Sequence, residues 1–306
     1  MDEFRHQPVL LEEAIDLLNV RPGGNYIDAT LGGGGHALEI LKRNGPSGKL
    51  IGLDRDPRAI EAATDRLSGY QERFTAVNLK FSLMDEMNWG RDLKIDGMLF
   101  DLGLSSPQID HSQRGFSFMG DGPLDMRMGL NGVSARDLVN KTGEKELADI
   151  FYQYGEEQKS RKIARAIAEA RINNPIETTG QLARIIKETR PQMPAKTLAR
   201  IFQAIRIKVN DELNELEQGL NTGVEMLSSG GRIVVISYHS LEDRMVKETF
   251  RRLAEPCTCP PRLPSCVCGK TPVIKIITKK AMVPTPRQIS ENSRARSAKL
   301  RAAEKV

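Results

Sequence analysis

The chain has 306 residues, of which 39% are hydrophobic and 28% are charged, a composition typical of a globular protein with a sizeable core. Its net charge of +5, from 45 basic and 40 acidic residues, favours a polyanionic partner only weakly. The sequence begins without an apolar signal segment and has no run of 18 apolar residues, which predicts a cytoplasmic protein with no membrane partner.

The first part of the chain alternates short apolar runs with helical patterns. A helix is predicted over residues 9–18, and four strands are predicted over residues 26–28, 49–54, 74–77 and 95–103. Pro57 stands where a further helix would begin. Strands and helices that alternate at this spacing predict an α/β fold with a mostly parallel, doubly wound sheet.

The alternation stops near residue 110. Residues 110–133 have the composition of a long loop, and residues 134–205 carry helical patterns alone. A long helix then leads to a buried strand over 231–237, a short helix after Ser240 and a further strand over 273–278. We predict a sheet domain formed by residues 1–109 and 206–306, with residues 110–205 inserted as an all-helical domain that forms a wall for the substrate.

A glycine-rich loop follows the first strand. Four glycines, residues 32–35, separate Asp28 from a helical pattern, and this strand, loop and helix together favour a nucleotide-type ligand. Asp54 ends the second strand at the spacing from which a carboxylate accepts hydrogen bonds from ribose hydroxyls. Nicotinamide dinucleotides and S-adenosyl-L-methionine both fit, but Asp28 would repel a pyrophosphate and attract a sulfonium or amino group, which favours the latter. The alternative for Asp54 is a cap for the next helix, a role that Asp56 could also take.

The segment from Asp101 to Asp110 follows the fourth strand. Methyltransferases that act on exocyclic amines place a polar side chain and a backbone carbonyl at this point, because hydrogen bonds from the amine favour its pyramidal, nucleophilic form. The alternative interpretation is a Ser-Pro turn with a helix cap.

Five motifs occur in a fixed order along the chain: His6–Glu12, Asp28–His36, Asp54–Pro57, Asp101–Asp110 and Ser237–Arg244. Together they closely resemble the RsmH (MraW) family, and the resemblance extends to the Ser-Arg-Ala-Arg sequence at 293–296. It implies a class I (Rossmann-like) methyltransferase with an inserted helical domain. It also implies that the enzyme uses S-adenosyl-L-methionine to methylate N4 of a cytidine in the decoding region of 16S rRNA.

The resemblance also assigns roles to individual residues. The cofactor contacts that it implies are Gly34, Gly35, His36, Asp54, Phe81, Asp101 and Gln108. We place Asp101, Ser105, Ser106 and Pro107 at the methyl transfer point, and His239, at the end of the strand over 231–237, is a further candidate catalytic residue. Phe81 would pack on the adenine, with core packing as the alternative. The general base stays open between Asp101 and His239, and the proton can also leave to water without a base.

The sequence gives fewer indications of which residues bind the substrate. No aromatic residue directly follows Pro107, so the ring that stacks on a flipped cytosine comes from elsewhere, with Phe116 and Phe118 as candidates. Arg114, Arg127, Arg136 and the basic residues at 159–171 either form a phosphate-binding wall or lie on solvated helix faces. The basic tail, residues 287–306, either contacts RNA or is disordered. The expected partner is 16S rRNA within the small ribosomal subunit, and the oligomeric state is left open.

All four cysteines lie in one segment near the C-terminus. Cys257 and Cys259 form one Cys-x-Cys unit, and Cys266 and Cys268 form another. Four thiolates could hold zinc, but such sites usually use Cys-x₂-Cys units, so the sequence favours thiols in a reducing cytoplasm and no metal.

Two other functions remain open at this point. A nicotinamide-dependent oxidoreductase would bind NADH instead of S-adenosyl-L-methionine. A non-catalytic ribosome-assembly factor would bind ribosomal particles and leave no methyl mark.

Overall fold

The computed structural model describes residues 8–87, 93–104, 111–129, 131–260 and 267–306. The chain divides into two compact units, Met1–Gly103 with Leu213–Val306, called the sheet unit here, and Leu104–Glu212, called the helical unit. The helical unit extends beyond the predicted boundaries, 110–205, at both ends. Its interpretation as a substrate-recognition domain stays a prediction.

The sheet unit contains a seven-stranded sheet in the order β3-β2-β1-β4-β5-β7-β6. Its strands are β1 (Tyr26–Asp28), β2 (Leu50–Asp54), β3 (Phe74–Asn78), β4 (Ile95–Asp101), β5 (Leu227–Ser237), β6 (Ile274–Ile276) and β7 (Lys299–Lys305). The first five strands pair in parallel, and β7 runs antiparallel to both β5 and β6. The predicted doubly wound α/β fold is therefore confirmed.

The strand order reverses at β1, which pairs with β2 on one side and with β4 on the other. Ile27 lies opposite Ile51 on β2 and Met98 on β4, and all three side chains are buried. Apolar runs of this kind suit parallel strands because helices cover both faces of such a sheet. Ligands of open α/β folds bind at the carboxyl ends of the strands on either side of this reversal.

Six helices belong to the described part of the sheet unit. They are α1 (Leu11–Leu18), α2 (Gly35–Arg43), α3 (Pro57–Arg66), α9 (Glu212–Met226), α10 (Ser240–Ala254) and α11 (Pro286–Glu291). Pro57 is the first residue of α3, as predicted, and the carboxylate of Asp56 accepts a hydrogen bond from the Arg58 amide as the helix cap. Asp56, and not Asp54, therefore caps this helix.

The basic tail contains a strand that the sequence did not reveal. Within β7, Leu300, Ala302 and Ala303 are buried, and Ala302 pairs with Val234 of β5. Arg301 Nε and Lys299 Nζ donate to the Asp243 carboxylate on α10 over 2.7 and 2.9 Å. The prediction of disorder is wrong for these residues, and contact of the tail with RNA stays a prediction. The sequence did not indicate the strand because alanine and charged residues are weak strand formers.

The helical unit has its own hydrophobic core. Its helices are α4 (Ala135–Lys141), α5 (Glu144–Gly155), α6 (Ser160–Asn173), α7 (Thr179–Glu188) and α8 (Pro194–Asn210). Phe151, Ile167 and Ile201 are among the side chains buried in this core. Capping boxes begin α4 at Ser134 and α7 at Thr178, which explains why the helices start at these residues.

Across the described ranges of both units, no helix combines the length and the apolar composition that crossing a bilayer requires.

Candidate active site

Three aspartates stand at the carboxyl ends of adjacent parallel strands. Asp28 ends β1, Asp54 ends β2 and Asp101 ends β4. Because β1 lies between the other two strands, the sheet brings the three carboxylates to one edge around the point of strand reversal. Residues separated by more than 70 positions in sequence thus form one acidic cluster, called the aspartate cluster here.

The glycine loop connects β1 to α2 and is held by the ends of the neighbouring strands. The Leu31 amide donates to Leu53 O over 2.8 Å, and the Thr30 hydroxyl accepts from the Asp101 amide over 2.6 Å. Gly34 has φ +72° and caps α2, a conformation that L side chains rarely adopt. A Cβ at Gly33 would meet no atom within 4 Å, so the loop has room for a ligand beside its backbone.

Two predicted cofactor residues have clear structural positions in this loop. Gly34 lies against α3, where an added Cβ would be 3.3 Å from Ala63 and Leu67. Gly35 is the first residue of α2, and its Cβ would lie only 2.4 Å from Pro8 Cγ. Close packing of the loop on its neighbours thus requires glycine at both positions, whether or not a ligand is bound.

The carboxylate of Asp54 shapes the glycine loop directly. Oδ2 accepts from the Gly32 amide over 2.9 Å, and Oδ1 accepts from the Asp56 amide over 2.9 Å. Burial raises the pKa of Asp54, and the two backbone hydrogen bonds oppose that increase. Each oxygen retains a lone pair that could accept a further donor, as a ribose hydroxyl would require.

Asp28 is the most buried of the cluster, with only 1% of its surface exposed. Its pKa is raised from 3.8 to about 7, chiefly by burial and also by the charges of Asp101 and Asp54, against the lowering effect of the hydrogen bond from the Thr30 amide. An ionised Asp28 adds to a negative field that a cationic group in the loop would relieve.

The raised pKa of Asp28 predicts a pH-dependent cost to stability. Because the pKa of Asp28 is higher in the folded than in the unfolded state, Asp28 stabilises the fold fully below pH 4. This stabilisation is lost as the pH rises to about 7. The variant Asp28→Asn does not titrate, so it should gain stability relative to the wild type by roughly 3–4 kcal/mol between pH 4 and pH 7.5. Urea denaturation of both proteins across this range measures the difference, and a difference that is constant with pH would contradict the assignment.

The Asp101 carboxylate lies between two aromatic side chains. The Tyr238 hydroxyl donates to Oδ1 over 2.7 Å, and His36 Nδ1 lies 3.6 Å from Oδ2. The side chain of Asp101 is 23% exposed, whereas that of His36 is 6% exposed. Burial and the neighbouring carboxylate raise the pKa of Tyr238 well above 10, so its hydroxyl remains a proton donor. The carboxylate is thus oriented by the protein and still open to solvent.

His36 holds a defined tautomer beside this carboxylate. Burial lowers its pKa to about 4, so the ring is neutral at neutral pH and forms no ion pair with Asp101. Its Nε2 lies 3.2 Å from Val9 O, which requires Nε2 to carry the proton and makes Nδ1 an acceptor. Two acceptors, Nδ1 and the Asp101 carboxylate, therefore face each other, an arrangement that favours an N–H or O–H donor beside them.

His239, one of the predicted candidates for the general base, is the N-cap of α10. Its Nδ1 accepts from the Glu242 amide over 3.3 Å. Its Nε2 lies 3.1 Å from Glu242 Oε1, although the two atoms are not aligned for a hydrogen bond. These contacts give His239 a structural role in starting the helix, and its catalytic role stays a prediction.

Phe81 packs inside the sheet unit. Its ring meets Phe100 edge-to-face with centroids 5.4 Å apart, and a Cβ on Gly219 of α9 would lie 2.4 Å from it. The side chain is partly buried, so the structure contains the core packing named as the alternative. Contact with adenine stays a prediction.

Four predicted site residues lie outside the described residues: Ser105, Ser106, Pro107 and Gln108. Two aromatic candidates for cytosine stacking lie in the helical unit. Phe116 is buried in its core, and Phe118 is partly buried with its ring 5.4 Å from that of Phe202. Both rings therefore pack against other side chains of the helical unit.

The predicted phosphate-binding residues make contacts within the helical unit. Arg127 pairs with Asp125, Arg136 pairs with Glu177 over 2.8 Å, and Arg114 donates to two backbone carbonyls. On α6, Lys162 and Arg171 donate to the carbonyls of other segments. These contacts account for the five side chains structurally, and phosphate binding by them stays a prediction.

Tyr238 contacts a predicted site residue, Asp101, and was not itself predicted from the sequence. It directly follows β5, and Asp101 pairs with Ile236 of that strand, so the register of two adjacent strands brings Tyr238 to the carboxylate. Gly103 allows the close approach, because it has φ +100° and an added Cβ would lie 3.1 Å from the Tyr238 ring. The Tyr238-His239 pair after a buried strand was the available signal, and only His239 was among the predicted site residues.

The chain is similar to known proteins over nearly its whole length. The model of the MraW methylase family matches residues 3–306. "Ribosomal RNA small subunit methyltransferase H" of Carboxydothermus hydrogenoformans is 52% identical over 99% of both chains. The protein of the same name from Geobacter sulfurreducens is 51% identical, again over 99% of both chains. A crystal structure of a putative rRNA-methylase from Clostridium thermocellum has a TM-score of 0.48 and 16% identity over 98% of both chains.

Proposed function

The chain belongs to the MraW methylase family, and from this premise we propose that it is an S-adenosyl-L-methionine-dependent rRNA (cytosine-N4-)-methyltransferase. Its substrate is a cytidine in the decoding region of 16S rRNA, presented within the small ribosomal subunit in the cytoplasm. The observation that carries this proposal is the aspartate cluster, with Asp101 held between the Tyr238 hydroxyl and His36.

The residues around the glycine loop fit the proposed cofactor. The charges of Asp101 and Asp54, which act on Asp28, are both negative. The loop therefore favours a ligand that carries a sulfonium and an ammonium group. Gly33 leaves space beside the backbone, and Asp54 has acceptor capacity for a ribose. A pyrophosphate would add negative charge to this cluster, which counts against a nicotinamide dinucleotide.

We assign Gly34, Gly35, His36, Asp54 and Asp101 to the cofactor site on this basis. When bound, S-adenosyl-L-methionine supplies an electrophilic methyl group on its sulfonium. The neutral ring of His36 adds no positive charge beside that group, because its pKa is about 4.

Asp101 orients the nucleophile in the proposed reaction. The lone pair of an exocyclic amine is delocalised into its ring, so the amine attacks only when it becomes pyramidal. Hydrogen bonds from its N–H groups to the Asp101 carboxylate favour that form and aim the lone pair at the methyl group. Tyr238 holds the carboxylate in place, and the proton released after attack passes to Asp101 or to water.

The test is transfer of labelled methyl groups from S-adenosyl-L-methionine to small subunits that lack the modification, followed by nucleoside analysis. Label in N4-methylcytidine is the expected result. Naked 16S rRNA serves as a parallel substrate, and label on the subunit alone would support the assembled particle, whose folded RNA positions the cytidine. Cofactor binding without any label would reject the proposed substrate, and the absence of cofactor binding would reject the glycine loop as the site.

A further inference from the structure

We propose that Cys257, Cys259 and Cys268 form a thiolate site for a Zn²⁺ ion in the sheet unit. The site lies in the segment between α10 and β6, and it is separate from the aspartate cluster. The three sulfur atoms all lie within 4.8 Å of one another. Cys266 lies outside the described residues, and the proposal rests on the other three.

The sulfur spacing matches a metal site better than a disulfide. Cys257 Sγ and Cys268 Sγ are 3.8 Å apart, whereas a disulfide holds its sulfur atoms about 2.05 Å apart. In a tetrahedral site with Zn–S bonds of about 2.3 Å, neighbouring sulfur atoms lie about 3.8 Å apart. The Cys268 thiol donates a hydrogen bond to Cys257 Sγ at this distance, and the same distance fits one edge of a zinc-thiolate tetrahedron once the protons have left.

Backbone hydrogen bonds favour a thiolate in this segment and hold its two ends together. The Val267 amide points at Cys259 Sγ over 3.4 Å, and a hydrogen bond of this kind stabilises a thiolate. The Val273 amide donates to Leu253 O over 2.9 Å, which closes the base of the segment between the end of α10 and the start of β6. The two Cys-containing stretches are thereby brought together before any ion binds.

The described part of this segment has no hydrophobic core of its own. Among residues 255–260 and 267–273, every side chain is at least partly exposed, and none joins a hydrophobic core. Short segments that cannot bury an apolar core are commonly ordered by a metal ion instead. Three thiols that release their protons on binding Zn²⁺ would supply this order.

The sequence alone favours thiols without a metal, because the Cys-x-Cys spacing departs from common zinc motifs. The structure supports a metal site, because it brings Cys257 and Cys268, which are 11 positions apart in the sequence, to within 3.8 Å of each other. In a reducing compartment, a cluster of this kind is more consistent with metal binding than with a disulfide.

The experiment measures zinc in the full chain after incubation with ZnCl₂ under reducing conditions and removal of unbound metal by gel filtration. We expect about one zinc per chain, and a decrease of at least about tenfold in each of Cys257→Ser, Cys259→Ser and Cys268→Ser. The matched control is Thr258→Ala, an exposed neighbour between two of the cysteines, which should retain the metal.

A second measurement does not depend on the folding of the variants. Co²⁺ added to the wild-type chain should produce the visible absorption of tetrahedral thiolate-bound cobalt, and Zn²⁺ should displace it. A wild-type chain that retains no zinc and gives no cobalt absorption would overturn the proposal. Full zinc retention in the three serine variants, or a Cys257–Cys268 disulfide detected by mass spectrometry in the purified chain, would overturn it as well.

Discussion

Replacement of Asp101 by alanine is expected to lower kcat for methyl transfer about 10³-fold while the fold survives. The reason is that the proposed reaction needs an acceptor for the amine N–H groups, and preorganised hydrogen-bonding groups at a reacting centre contribute about 10²–10³-fold each. The Tyr238 hydroxyl and the His36 ring also lie next to the Asp101 carboxylate, so the variant loses both of these contacts. Single-turnover kinetics with saturating cofactor would measure the change.

Two companion variants test the reason for this loss. Tyr238→Phe retains the carboxylate but removes the hydroxyl that orients it, and we expect a smaller decrease in kcat, about 10-fold. Asp101→Asn retains the shape and part of the acceptor capacity, so its activity should lie between those of the wild type and Asp101→Ala. Circular dichroism and thermal unfolding of each variant check the fold. Full activity in Asp101→Ala would remove this residue from the mechanism.

Replacement of Asp54 by alanine is expected to weaken cofactor binding about 100-fold. A carboxylate that accepts hydrogen bonds from a ribose contributes about 1.5–3 kcal/mol for each charged hydrogen bond. The same change removes the acceptor for the Gly32 amide, so the glycine loop loses a contact that shapes it. Isothermal titration calorimetry with S-adenosyl-L-methionine would measure the affinity.

Asp56 provides the matched control for this variant because it lies two residues away on the other side of Arg55. Its carboxylate caps α3, so Asp56→Ala should cost about 1 kcal/mol of stability. Cofactor affinity should change little, since the amide of residue 56 that donates to Asp54 remains. Equal losses of affinity in both variants would show that Asp54 acts through the fold of the loop and not through the ligand.

The sheet and its glycine loop were predictable because their signals are local. Six of the seven strands, all except β7, follow from short apolar runs, and Pro57 marks the start of α3 within the chain itself. Asp28 and Asp54 could be placed at the strand ends, since each directly follows an apolar run. A parallel sheet then implies that these ends meet at one edge, which is sufficient to locate the site.

The partners of the site residues could not be predicted in the same way. Tyr238 reaches Asp101 through the register between β4 and β5, and 137 positions separate the two residues. The capping role of His239 depends on the conformation of the turn before α10, which the residue type alone does not specify. Strand β7 is held by antiparallel pairing and by Asp243, while its own residues are poor strand formers.

Local sequence signals therefore predicted the fold class, the strands β1 to β6 in their order, and the acidic residues that end the strands. These features depend on hydrophobic periodicity and turn chemistry, which act over a few residues. Long-range packing sets the contact of Tyr238 with Asp101, the pairing of Lys299–Lys305 with the sheet and the approach of three cysteines to one another. Each of these contacts joins distant residues, and the packing and strand register that bring such residues together come from the whole chain.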